Sequence, residues 1–110
     1  MLIEQTVKEY LDSKLNVSVE LEMPEEMPDS FVVAQVIARG KENHINEVTM
    51  EFLSYAESNY KAALLDEAVR EAMENIVELP DISCRFGGGN NNFDTTNKRY
   101  RYRCYYNLYY

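Results

Sequence analysis

The feature that most constrains this fold is a change of hydrophobic period within residues 45–77. Its first part alternates apolar and polar side chains, which is typical of a strand with one wet face. The apolar positions of this part are Val48, Met50 and Phe52. From Ser58 onward apolar residues recur at helical spacing, and Pro80 prevents the helix from continuing beyond Leu79. The segment therefore predicts a half-buried strand followed by a long helix, and we expect Ser58 to be its N-cap.

The same helical pattern predicts which side of the helix is buried. The apolar stripe consists of Tyr60, Ala63, Leu64, Ala68, Ala72, Met73 and Ile76. The opposite side consists of Lys61, Asp66, Glu67, Arg70, Glu71 and Glu74. Because an amphipathic helix turns its apolar stripe towards the core, we expect the first set to face the sheet and the second to face water.

The remaining segments complete an α+β plan in the order helix–strand–strand–strand–helix–strand–strand. An opening helix carries its apolar stripe on Ile3, Val7, Tyr10 and Leu11, and strands are predicted at 17–23, 31–38, 82–86 and 100–108. Residues 39–44 are predicted to be a turn, and residues 87–92 a loose glycine- and asparagine-rich loop. Because short connections favour antiparallel neighbours, we expect a mostly antiparallel five-stranded sheet with both helices on one face. Residues 1–110 form one domain in this interpretation.

Charge is distributed unevenly along the chain. The net charge of −8 combines residues 1–80, with six Lys/Arg and seventeen Asp/Glu, and residues 81–110, with five Lys/Arg and two Asp/Glu. The first part should repel nucleic acid and the second should not. The start of the chain is acidic where a secretory signal would be basic, and no run of 18 apolar residues occurs, so we expect a cytoplasmic protein that does not cross a membrane.

The two cysteines fall on strands that flank the predicted loop. If those strands fold symmetrically about it, Cys84 faces Cys104 and Phe86 faces Tyr102, and both thiols lie on the core side. We expect reduced, buried thiols, with a cross-strand disulfide as the alternative. Two cysteines are too few for a structural zinc site.

No catalytic or cofactor motif is apparent. His44 is the only histidine and has neither an orienting partner nor a serine or cysteine nucleophile motif beside it. The acidic pairs lack calcium-loop spacing, and Gly87-Gly88-Gly89 lacks the Lys-Ser/Thr that follows the glycines of a phosphate-binding loop. We therefore expect no enzyme activity, no cofactor and no metal.

The last strand interleaves arginine with tyrosine, a composition also found in proteins that bind single-stranded nucleic acid. Alternation places Arg99, Arg101 and Arg103 on one face and most of the tyrosines on the other, which favours a strand with an aromatic core side. The arginine face lies opposite the helices together with acids of other strands. These acids are Glu20, Glu22, Glu47 and Glu51. That face is predicted to be either a solvated surface or a place where copies meet.

A series of short motifs runs along nearly the whole chain. They are Glu9-Tyr10-Leu11, Pro24 before Phe31-Val32-Val33, Asn43-His44-Ile45, Ser54-Tyr55-Ala56-Glu57-Ser58, Ala72-Met73, and Asn92-Phe93-Asp94-Thr95 before Lys98-Arg99-Tyr100-Arg101-Tyr102. In this order the chain resembles small tail proteins of Gram-positive siphophages and prophages, which are similar to the lambda-type tail terminator. It departs from that pattern in an extended Gly/Asn-rich loop, and in ending with Tyr109-Tyr110 where a histidine is expected nearby.

The resemblance implies a small α+β subunit that forms a six-membered ring on the finished tail tube, ends its growth and presents the surface that joins the head. DNA would pass through the ring without specific binding. The implied partners are further copies of the chain, the major tail tube protein and a head-completion or connector protein. The implied location is the bacterial cytoplasm during assembly and then the neck end of the virion tail. The alternatives are another neck or connector protein, or a small nucleic-acid-binding module that uses the Arg/Tyr strand.

Two sets of contact residues follow as hypotheses. In the first, Arg99, Arg101 and Arg103 of one copy approach Glu47 and Glu51 of the next, with pairing inside one chain as the alternative. In the second, the loops at 39–46 and 87–96 touch the tube or the head-side partner. The individual residues of the second set are Arg39, Lys41, His44, Asn90, Asn91 and Asn92.

Overall fold

The computed structural model describes residues 2–110 and confirms the α+β class. Its elements are α1 (Ile3–Lys14), β1 (Ser18–Glu20), β2 (Phe31–Glu42), β3 (Ile45–Ala56), α2 (Asn59–Glu74), a 3-10 turn (Ile76–Glu78), β4 (Ser83–Asn91) and β5 (Tyr100–Tyr109). Over these residues the five strands form one sheet in the order β1-β2-β3-β5-β4. Every neighbouring pair is antiparallel except β1 and β2, so the sheet is mostly antiparallel, as predicted.

The parallel pairing of β1 with β2 is the exception in this mostly antiparallel sheet. β1 is only three residues long, shorter than the predicted strand at 17–23, and spans about 10 Å. The ten residues that follow it contain Pro24 and Pro28 and form no helix or strand. Ten residues are long enough to return the chain from the end of this short strand to its beginning. β2 therefore starts beside Ser18 and runs parallel to β1.

The main core lies between the sheet and the two helices, which cover one face of the sheet, here called the helix face. It is built from fully or nearly fully buried side chains of both helices and of β1, β2, β3 and β5. The largest of them are Tyr106, Phe52, Ile3, Leu11, Met50, Met73, Ile76 and Leu108. Burying this apolar surface is the main force that holds the two layers together.

The buried side of α2 differs from the predicted one by part of a turn. Tyr60 and Leu64 are 72% and 46% exposed, whereas Ala62 and Asp66 are buried. The small side chain of Ala62 lets the helix approach the sheet closely, and Asp66 tolerates burial because an arginine one turn later pairs with it. The predicted cap is confirmed, since the Ser58 hydroxyl accepts from the backbone N–H of Lys61 at 3.1 Å.

The hairpin of β2 and β3 is longer than its sequence suggested. Residues 39–42, predicted to be part of a turn, continue β2 and pair with residues 45–48. Only Asn43 and His44 form the turn, and both have positive φ, 51° and 68°. This is the backbone of a two-residue type I′ turn, which asparagine tolerates well. The hairpin tip therefore extends as an ordered two-stranded arm.

The predicted loop at 87–92 is also wrong for most of its length, because β4 continues through Gly87, Gly88 and Gly89 to Asn91. The register differs from the predicted one because the connection between β4 and β5 lies further along the chain, so that Asn91 pairs with Tyr102, and a bulge between Phe86 and Gly88 changes the register by one further residue. Phe86 therefore faces Tyr106 rather than Tyr102.

The displaced register also separates the two cysteines. Cys84 faces Leu108 and Cys104 faces Gly89, so the thiols lie about 13 Å apart along the strands, at roughly 3.3 Å per residue. A disulfide needs Cα atoms within about 7 Å. Both thiols are free, Cys104 buried and Cys84 half-buried.

Candidate interaction surface

The face of the sheet opposite the helices, here called the second face, divides into two halves of different character. At the end where β2 begins, a second small core buries Phe31, Val33, Leu53 and Tyr55. The rings of Phe31 and Tyr55 stack in parallel with 4.5 Å between centroids. The expectation of an uncovered face is therefore wrong for this half of the sheet.

Two loops approach this second core from opposite sides. Arg99 reaches the first of them, donating from Nη2 to the carbonyl oxygens of Pro28 and Asp29 at 2.8 Å each, and its guanidinium lies 5.8 Å from the Phe31 ring centroid. The second loop approaches through Asp94, which accepts a hydrogen bond from the Tyr55 hydroxyl at 3.2 Å. Arg99 thus binds its own chain on the second face.

Asp94 organises the loop between β4 and β5. One carboxylate oxygen accepts from the backbone N–H groups of Thr96 and Asn97 at 3.0 and 3.1 Å, and the other accepts from the Asn97 amide at 2.9 Å. Burial opposes the charged form, but the hydrogen bonds from Asn97 and Tyr55 outweigh it, so the pKa of Asp94 lies below its ordinary value. The carboxylate is a structural anion that holds the loop over the second core.

Arg101 completes the same network. Its guanidinium donates to the Asn92 backbone carbonyl at 2.8 Å and to the Tyr55 hydroxyl at 3.1 Å, it hydrogen-bonds the Asn92 side-chain oxygen, and it lies 3.6 Å from Asp94. Its side chain is only 21% exposed. Arg99 and Arg101, hypothesised to reach a neighbouring copy, therefore have their binding capacity engaged within the chain.

The other half of the second face is an uncovered polar surface on β3 and β5, here called the polar ladder. Its members are Thr49, Glu51, Arg103, Tyr105 and Asn107. Arg103 Nε lies 3.1 Å from Glu51 Oε1, and its guanidinium lies 4.9 Å from the Tyr105 ring centroid. The Thr49 hydroxyl donates to the Asn107 side-chain oxygen at 2.6 Å. The Arg103–Glu51 pair has formed inside one chain, which is the alternative that the sequence left open.

Glu47, the other acid of that hypothesis, stands apart from the arginines. It lies half-buried near the hairpin tip, opposite Gly40 on one side and Tyr109 on the other. In residues 2–110 its carboxylate has no ion-pair partner. Of the five hypothesised interface residues, Glu47 is the one whose charge is unengaged in the chain.

The glycines of β4 are explained by Tyr105. A Cβ on Gly87 would lie 2.5 Å from two carbons of the Tyr105 ring, and Gly88 has a φ of +146° that side chains rarely adopt. The ring therefore lies against the bare backbone of β4. The sequence pattern gave no sign of this contact, because glycines in a row are more often a flexible loop than a surface for an aromatic ring.

The residues hypothesised to touch the tube or the head lie at opposite ends of the sheet. Arg39, Lys41 and His44 belong to the hairpin arm, whereas Asn90, Asn91 and Asn92 lie at the other end. The nine residue steps of β3 that separate these ends span about 30 Å.

These residues differ in how far they are engaged within the chain. Arg39 pairs with Glu4, the Asn91 amide donates to Asn59 at 2.8 Å, and Asn92 accepts from Arg101. In the described chain, Lys41 and His44 make no side-chain hydrogen bond or ion pair. The hairpin tip therefore offers the more available contact groups.

The charged side chains of Asp66 and Arg70, expected on the wet side of α2, are partly buried under β4. Asp66 on α2 lies 2.9 Å from Arg70 Nε, and burial raises the pKa of Asp66 above its ordinary value. Arg70 in turn lies 4.9 Å from the Phe86 ring centroid. Cys104 lies beside this pair, and burial raises the pKa of its thiol to about 12, so the sulfur stays protonated and is a poor nucleophile at neutral pH.

Residues 2–110 contain neither a metal-binding cluster nor a membrane-spanning helix. No cluster of three or more histidine, cysteine, aspartate or glutamate side chains could hold a metal ion there. In the same residues, no helix is long and apolar enough to cross a membrane.

Comparison with protein-family models finds no match to this sequence, and comparison with curated proteins finds none either. The class that the geometry defines is a two-layer α+β domain with a polar ladder on the uncovered part of its sheet.

Proposed function

We propose that this chain is a tail terminator subunit of a phage or prophage, which caps the tail tube as a ring of identical copies. The ring ends tube growth and presents the surface that joins the head, with DNA passing through its centre. The partners in this proposal are other copies, the tail tube protein and a head-completion protein. The protein would act in the host cytoplasm and remain in the virion at the neck.

The observation that carries the proposal is the placement of available groups at the two ends of a rigid two-layer domain. Exposed Lys41 and His44 lie on the hairpin arm at one end, and exposed Asn90 lies at the other, about 30 Å away by strand length. A ring subunit between a tube and a head needs a contact surface at each end. The order of short motifs along the chain supports the same proposal.

The polar ladder suits a channel surface better than a binding site. Arg103 and Glu51 neutralise each other, and Thr49 and Asn107 satisfy each other's hydrogen-bonding groups. A surface of paired charges has little affinity for phosphate, so DNA could slide along it.

The same contacts weigh against a nucleic-acid-binding module. Arg99, Arg101 and Arg103 all have partners in the chain, and binding phosphates would mean giving up those contacts. A connector protein elsewhere in the neck would use the same two ends, and the experiment below separates it from a terminator.

The test is polymerisation of the matching tail tube protein with and without the purified chain, with tube lengths measured by electron microscopy. We expect the chain to shorten the tubes at far less than one copy per tube subunit, because one ring blocks one growing end. Lys41→Glu in the hairpin arm should weaken this effect. Lys61→Glu, the same charge change on α2 where Lys61 pairs with Glu57, is the matched control. Tubes of unchanged length at equimolar chain contradict the proposal.

A further inference from the structure

The two outer strands of the sheet differ in length and in protection. β1 is three residues long and is followed closely by Pro24, which is how proteins usually blunt an edge. β4 has nine residues, no proline, and Arg85 as its single charge. In the described chain no backbone hydrogen bond outside the β4–β5 ladder reaches Ser83–Asn91. β4 thus presents a long row of unpaired backbone groups.

Arg85 adds an unpaired charge to that edge. Of the six arginines in the chain, five have an ion pair or a hydrogen bond within residues 2–110. Arg85 has none there, and its side chain is exposed on the same strand whose backbone is unpaired. Both features would be satisfied by an acidic partner with a free strand edge.

The opposite edge of the same sheet has that chemistry. β1 and the residues that follow it, 18–26, contain four acids and no lysine or arginine. The acids are Glu20, Glu22, Glu25 and Glu26. None of them makes an ion pair or a side-chain hydrogen bond in the part of the chain that the structure describes. We call 18–26 the acidic edge.

We infer that the free edge of β4 pairs with the acidic edge of a second copy of this chain. Strand directions fit this head-to-tail contact, since β1 and β4 run in opposite directions in the sheet. A rotation about an axis along the strands keeps those directions, so β4 would meet β1 of the next copy as an antiparallel pair. Such a contact is heterologous and closes into a ring when the rotation permits.

The inference rests on the proposed function in one respect: a ring requires that identical copies contact each other. It adds which two surfaces form that contact. Pairing of β4 with β4 of another copy would offer Arg85 no acidic partner, since β4 contains no acid, and would leave the acidic edge unmatched. The short length of β1 limits the ladder, so the isolated contact is weak and must be measured at high concentration.

The test is amide NMR of the full chain over dilution from about 1 mM, with a salt series. We expect concentration-dependent shifts in both 83–91 and 18–26. Arg85→Glu and the double variant Glu20→Lys/Glu22→Lys should each weaken association by about two- to fivefold. An equimolar mixture of these two variants should associate more tightly than either alone, because opposite charges meet again at both edges. Lys98→Glu and the double variant Glu67→Lys/Glu71→Lys make the same charge changes elsewhere and should behave like the unaltered chain.

Two outcomes overturn the inference. One is the absence of concentration-dependent shifts in both segments at about 1 mM. The other combines two results: concentration-dependent shifts occur in 83–91 alone, and the Glu20→Lys/Glu22→Lys variant associates as tightly as the unaltered chain. That combination would mean that β4 pairs with β4 of another copy. Either result leaves tube capping to be judged by its own assay, and loss of capping activity would leave a measured edge contact standing.

Discussion

The two halves of the second face show what a single β-strand pattern leaves undetermined. β3 and β5 alternate in the same way along their whole length, yet one end fully buries Tyr55 beside Arg101 and the other leaves Glu51 and Arg103 only partly buried. The difference comes from what lies above the strands. Two loops approach the first half, whereas within residues 2–110 no hydrogen bond brings a loop to the side chains of the polar ladder.

The comparison shows that Arg101 and Arg103, neighbours on the same face of β5, have different structural roles. Arg101 holds a loop in place, whereas Arg103 sits in an accessible cross-strand pair. A test of intermolecular contact that reverses Arg101 would therefore damage the fold first. Arg85 on β4 is the better position for such a test.

The largest predicted difference in the free energy of unfolding is between replacing a phenylalanine of the buried second core and replacing an exposed one on β4. Phe31→Ala removes a fully buried ring from the second core and should lower the free energy of unfolding by about 3–5 kcal/mol. Phe86 is 47% exposed, so Phe86→Ala should cost about 1 kcal/mol. Urea unfolding followed by circular dichroism measures both. Equal losses would contradict a second core.

The arginines of β5 should differ next most. Arg101→Met leaves Asp94 buried without its cation and should cost about 3 kcal/mol, because breaking a buried pair strands the remaining charge. Arg103→Met removes a more accessible pair and should cost less than about 1 kcal/mol. The comparison fails if Arg103→Met proves the more damaging of the two in the same unfolding assay.

Two glycines on different strands test the crowding of β4. A Cβ on Gly89 would lie 2.8 Å from the Arg103 carbonyl oxygen and 3.1 Å from the Cys104 Cβ, so Gly89→Ala should destabilise the fold by about 1–3 kcal/mol. Gly40 has no atom within 4 Å of that position, and Gly40→Ala should be neutral or stabilising by up to about 1 kcal/mol. Thermal unfolding of both variants measures the difference, and a tolerated Gly89→Ala would place β4 farther from β5 than described.

The smallest predicted effect concerns pH: the stability contributions of Asp94 and Asp66 should change in opposite directions as the pH rises. The folded-state pKa of Asp94 is lowered, so its charge contributes stability above the ordinary aspartate pKa, and that contribution is lost as the pH falls through the folded-state value. The folded-state pKa of Asp66 is raised by burial, so stability declines as the pH rises from the ordinary value through the raised one.

Unfolding of the two variants from pH 3 to 7 tests these signs. Asp94→Asn should lose stability relative to the unaltered chain at pH 7 and lose less of it at pH 3. Asp66→Asn should gain slightly at pH 7 and show no gain at pH 3. If the stability of both variants relative to the unaltered chain changed in the same direction between pH 3 and 7, the pKa directions assigned to Asp94 and Asp66 would be contradicted.

Sequence patterns predicted the architecture where a local signal was strong. The alternation of β3 and β5, the Ser58 cap and the two helices on one face all follow from hydrophobic period and capping chemistry. The α2 face was misjudged because Asp66 is buried beside its i,i+4 partner Arg70, whereas hydropathy places both charged side chains on the wet side.

The loops could not be predicted for a different reason. The contacts that hold the second core use the backbone carbonyls of Pro28 and Asp29, and backbone groups carry no sequence signal. The β4 register depends on a bulge and on the Tyr105 ring against Gly87, both of which are tertiary features. The residues hypothesised as contacts on the hairpin arm are exposed, whereas Asn92 and Arg101 are engaged with each other inside the chain.

The central claim is that this chain caps a tail tube, and the most direct measurement is tail length in particles assembled without it. Deleting its coding sequence from the phage or prophage that carries it, and restoring it from a plasmid, gives matched samples for electron microscopy. The account predicts overlong tails without heads in the deletion, and tails of normal length joined to heads on complementation. Tails of normal length joined to heads in the deletion itself would contradict it.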